Sequence, residues 1–149
     1  MSRQQTITVA VLVSIILASC AYGGMIFGRH NVKKPAASEF GLGPRASAQG
    51  LYKATLHPTD TLKPRKMYVL PVAITDANGK AVTNATIAID GGMPQHGHGL
   101  PTKPRITKNH GNGTYEISGL RFNMGGWWEL KLTITTPAGT DTVTFNLSL

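Results

Sequence analysis

Between Gly91 and Pro101 the chain reads GGMPQHGHGLP. Met93, His96 and His98 fall close together there, among four glycines. Thioether sulfur and imidazole nitrogen are donors for soft and borderline metal ions, copper and zinc above all. An i, i+2 pair in an extended segment sends both side chains to one side. Gly97 and Gly99, flanking His98, let the backbone take angles that other residues resist. A further thioether, Met124, lies in RFNMGGWW. If the two loops converge, Met93, His96, His98 and Met124 make one donor set. The loop has no carboxylate, and Asp90 sits on the strand end before it, so hard ions are disfavoured. Two thioethers favour Cu(I) over Cu(II) and place copper ahead of zinc. His110, in NHGNG, reads first as a turn residue and only second as a further candidate ligand. The plain alternative stays open: a glycine-rich turn, with Met93 and Met124 as core filler.

Other chemistry is harder to assemble. The sequence has no GxSxG, HExxH or phosphate-cradling glycine loop. Its single cysteine, Cys20, lies far from the histidines, so a blue-copper centre, which needs a thiolate, is not expected. No CxxC pair exists for thiol relay or structural zinc. These features point to a binding module and not to an enzyme.

The elements that must position the loop read as β. In KMYVLPVAIT, Tyr68, Leu70, Val72 and Ile74 alternate; in TNATIAID, Ala85, Ile87 and Ile89 do the same. Tyr115 and Ile117 share a face after the glycine-rich NHGNG turn. In WWELKLTIT, Trp128, Leu130, Leu132 and Ile134 point one way, and Trp127 points the other. Val143, Phe145, Leu147 and Leu149 close the pattern. Period-two alternation means one buried and one wet face per sheet. About seven short strands with regular turn signals predict an all-β sandwich. Trp128 is expected to anchor the core and Trp127 to lie at the surface or on a partner.

Residues 51–149 are read as this folded domain, and residues 29–50, rich in Ala, Gly, Pro and Ser, as a flexible linker. Residues 1–28 are read as a signal or anchor segment. Ile7–Gly28 is an uncharged run of 22 residues following Arg3, long enough to span a bilayer and shaped like an export signal. LASC, ending at Cys20, resembles a lipobox, in which Cys20 is lipidated; the competing reading is an uncleaved anchor helix. Either leaves the domain in the periplasm or cell envelope, tethered to the membrane through its N-terminus. The formal charge of +8 is spread over Lys63, Arg65, Lys66, Lys103, Arg105 and Lys108, among others. It lacks the clustering with stacking aromatics that a nucleic-acid binder needs.

Three separated blocks carry a resemblance. Met93-Pro94-x-His96-x-His98-Gly99-Leu100-Pro101, then Gly113-x-Tyr115, then Phe122-x-Met124-x-Gly126-x-Trp128 resemble the pattern of the YtkA-like domain, grouped with FixH-like exported or membrane-anchored proteins. The likeness covers about residues 65–147. It departs at Gly125, where the family often has proline. The resemblance implies an immunoglobulin-like or cupredoxin-like sandwich. It also implies a role in copper handling, or delivery to a membrane copper enzyme such as a respiratory oxidase and its assembly factors. The alternative of a different class is an accessory module that docks on a membrane protein complex and binds no metal.

Overall fold

The computed structural model describes residues 32–149. Among them nine strands form: β1 (Arg45–Ala46), β2 (Tyr52–Leu56), β3 (Met67–Asp76), β4 (Thr86–Met93), β5 (His98–Gly99), β6 (Arg105–Asn109), β7 (Thr114–Arg121), β8 (Trp127–Thr136) and β9 (Gly139–Ser148). β1 and β5 have two residues each, and the other seven are the strands long enough to carry alternation. One sheet has the order β1-β2-β3-β7-β6 and the other β5-β4-β8-β9, with every pairing antiparallel. The all-β sandwich expected from the sequence is the fold.

The alternation explains why the sheets stack. Tyr68, Leu70, Val72 and Ile74 of β3 and Tyr115 and Ile117 of β7 turn inward. They meet Trp128, Leu130, Leu132 and Ile134 of β8 and Val143, Phe145 and Leu147 of β9. Each such side chain contributes about 1.5–3 kcal/mol by leaving water. Phe122 and Trp128 close one end in an edge-to-face contact, with ring centres 5.2 Å apart. Two register shifts interrupt the five-stranded sheet, between Tyr68 and Val69 and between Ile106 and Lys108. The first keeps Leu120 inward although it breaks step with Tyr115 and Ile117.

Two expectations need correction. The fold begins well before Leu51. β1 pairs with β2, Arg45 opposite Ala54 and Ala46 opposite Lys53. Ser47 is buried, and its amide donates to the Tyr52 carbonyl. Residues 45–50 are held by hydrogen bonds and bury almost no apolar face of their own, so they carry no periodicity to read. Trp127 is the second correction. It does occupy the strand face opposite the core, yet it is only 4% exposed. Its indole N–H donates to Asn146 Oδ1 at 3.0 Å, and the Asn146 amide donates to the Glu39 carbonyl. The stretch up to Gly41, whose amide donates to the Asn146 carbonyl, docks against this corner.

The segment at residues 1–28, with Cys20, lies outside the described residues. Among the described residues no helix is long and apolar enough to cross a membrane.

Candidate metal centre

β4 delivers the loop. It runs along β8, with Ile89 opposite Leu132 and Gly92 opposite Glu129, and ends at Met93. Pro94 to Gly97 then make a four-residue hairpin turn, and β5 returns with His98 opposite Met93. The His96 amide closes the turn on the Met93 carbonyl at 3.0 Å. Gly92 is required by close approach: a Cβ there would collide with the His98 carbonyl oxygen. The hairpin is therefore tight, and it projects both histidines into solvent.

The two imidazoles stand side by side, their ring centres 6.0 Å apart and their planes inclined at 48°. With metal–nitrogen bonds of about 2.0–2.1 Å, two imidazoles on one ion place their centres roughly 5–6 Å apart. The observed spacing falls at the upper end of that range. Neither ring is hydrogen-bonded to another described side chain, so their nitrogens are not already engaged. A shallow groove of about 290 Å³ beside the hairpin is lined by Asp90, Met93, His98 and Lys131, among others.

The two methionines part company. Met124 is 39% exposed, in the bend between β7 and β8. Its carbonyl accepts the Trp128 indole N–H at 3.0 Å, which pins the backbone and leaves the thioether free. Met93 is 1% exposed and belongs to the hydrophobic core. Its Cε lies 2.9 Å from where a Cβ on Gly126 would stand. Gly126 has φ +122°, a backbone conformation that glycine takes readily. Met93 therefore packs from inside the core against the bend that carries Met124 and Gly126, with its side chain withdrawn from solvent.

His110 is not brought to this place. It precedes β7, whereas Met124 follows it, so the eight-residue strand separates them by roughly 25 Å. His110 Nε2 instead meets Glu116 Oε1 at 2.8 Å on the β6–β7 hairpin. Among the described residues no group of three or more His, Cys, Asp or Glu is placed to hold a metal. His96 and His98 are the imidazole pair of the β4–β5 hairpin, and Met124 is the exposed thioether of the bend that Met93 packs against. Sequence reasoning missed Gly126 as the seat of Met93, and Asp90 with Lys131 as the groove's polar wall. The only signal for the last two was their facing positions on paired strands.

No curated protein and no solved structure matched the chain. The model of the YtkA-like family matches residues 47–133, from just after β1 through most of β8 and across both loops described above. That match covers more than half of the 149 residues, and the chain belongs to the YtkA-like family.

Proposed function

We propose that this chain is a copper-binding protein of the cell envelope, held to the membrane by its N-terminus. On this reading it handles copper or passes it to a membrane copper enzyme. The observation that supports the reading is the exposed pair His96 and His98, spaced for one ion, beside a loop that offers the Met124 thioether. His96 and His98 donate imidazole lone pairs, and Met124 supplies the soft donor that favours Cu(I) over Cu(II) and over zinc. Three donors on a solvent-facing rim leave room for an incoming ligand, which suits transfer better than storage. Met93 forms the floor and keeps the two loops in contact.

The test is a Cu(I) titration of the protein against a competing chelator. One ion is expected per chain. His96→Ala and His98→Ala should each weaken binding by more than the roughly 10–100-fold that second-shell groups carry. Met124→Leu should harm Cu(I) binding more than Cu(II) binding. If the combined variant of all three binds as tightly as the wild type, the hairpin is only a turn, and the docking-module reading takes over.

A further inference from the structure

The five-stranded sheet turns one face outward, and its central strand carries an apolar stripe there. Met67, Val69, Pro71 and Ala73 alternate with the core residues of β3. Met67 and Val69 are each 55% exposed, more than any other large apolar side chain among the described residues. The register sets cations around them. Arg121 stands opposite Met67. Arg105 lies across Ser118, the partner of Val69, and Lys108 lies across Glu116, the partner of Pro71. Lys53 completes the rim on β2. Glu116 is the acid on this face, and its carboxylate is already engaged by His110. The result is a sheet face with an aliphatic centre and a cationic border.

We propose that this face rests on an anionic lipid surface. Met67 and Val69 are shaped for shallow entry among headgroups, while guanidinium and ammonium groups reach the phosphates around them. Each Lys or Arg near an anionic membrane strengthens association by about fivefold, so the border gives a weak contact by itself. A weak contact suffices if the bilayer is always near, because a tether raises its effective concentration. The proposal rests in that respect on the reading of Ile7–Gly28 as the tether.

The experiment uses the full chain with vesicles carrying brominated acyl chains, made of phosphatidylcholine with or without phosphatidylglycerol. Val69→Trp places an indole on the stripe, and Met67→Trp repeats the measurement at a second position. Ala88→Trp, exposed on the outer face of the other sheet, is the control; Trp127 and Trp128 are buried and give a constant background. The stripe indoles should shift to shorter wavelength and be quenched in phosphatidylglycerol vesicles only. High salt should reverse this. Adding Arg105→Glu and Arg121→Glu should weaken the contact by roughly 30-fold or more. The control should stay unquenched in both lipids. Equal quenching of the stripe indoles in the two lipids, no quenching in either, or quenching of the control to the same degree overturns the proposal; with no quenching in either lipid the stripe is left for a protein partner. The tether fails separately: the chain then does not float with phosphatidylcholine vesicles, and the contrast between lipids is read at higher vesicle concentration, which replaces the effective concentration a tether supplies.

Discussion

Met93 shows how one residue type serves two purposes that a sequence cannot separate. Its spacing from His96 and His98 suits a ligand, and its burial makes it a piece of the core instead. Methionine fits irregular gaps because it is unbranched and flexible, and the gap here is the space left by the missing side chain of Gly126. Met93→Leu should therefore cost less than about 1.5 kcal/mol and leave Cu(I) affinity unchanged. Met93→Ala should cost about 2–5 kcal/mol. Urea unfolding read beside a copper titration checks both. A loss of affinity in Met93→Leu with stability retained would return Met93 to the ligand set. Gly92 offers the converse test. A methyl group there drives into the His98 carbonyl, and the two-residue β5 is the element free to yield. Gly92→Ala should move His98 away from His96 and weaken copper binding at a cost of about 1 kcal/mol, the low end for overpacking.

At the scale of elements, β8 sets the geometry around the candidate site. Its inward residues hold the core, its edge pairs with β4, and its first residues anchor both loops. Trp128→Ala should cost about 3–5 kcal/mol, and it also frees the Met124 carbonyl that its indole holds. Trp127 reads from sequence as a surface residue, and its strand phase does face away from the core. Its burial comes from Asn146 and the backbone at Glu39, partners far off in sequence. Asn146→Ala should therefore cost about 1–3 kcal/mol, the penalty for a buried donor left without a partner. It should also make Trp127 more accessible to acrylamide quenching; unchanged quenching would mean that another group covers Trp127. The contrast marks what the sequence discloses. Alternation along β3, β8 and β9 was legible because each strand buries one continuous face. β1 and β5 were not legible, because two-residue strands have no period. The candidate donors were legible by type and spacing, but Met93's orientation depends on Gly126, and no local pattern connects those two residues.

Across the whole molecule, one carboxylate ties the beginning of the fold to its last strand. Asp141 is buried on β9. Its Oδ2 accepts the amides of Gln49 at 2.9 Å and Leu51 at 3.3 Å, and its Oδ1 accepts the Thr142 amide at 2.8 Å. Burial alone raises the pKa of this group; the nearby Ser47 hydroxyl and the hydrogen-bonded amides of Thr142, Gln49 and Leu51 outweigh that effect and hold it below the ordinary carboxylate value. The sign of the stability effect follows. A depressed folded-state pKa means that the unfolded chain takes up the proton more readily. The contribution of Asp141 is therefore complete above the unfolded value of about 3.9 and fades as pH falls through the lower folded value. Asp141→Asn should lower stability near neutral pH, because an amide nitrogen would then face backbone donors at Gln49 or Leu51. It should also flatten the acid limb of the stability profile. Urea unfolding of wild type and variant from about pH 6 to pH 3 reads both effects. Since Asp141 grips residues 47–51 directly, acid should loosen that turn before the core gives way. Amide exchange at Gln49 and Leu51 should then rise at pH values where β3 and β8 remain protected. Parallel profiles for wild type and variant, or simultaneous exchange everywhere, would show that the first strands are held by packing alone.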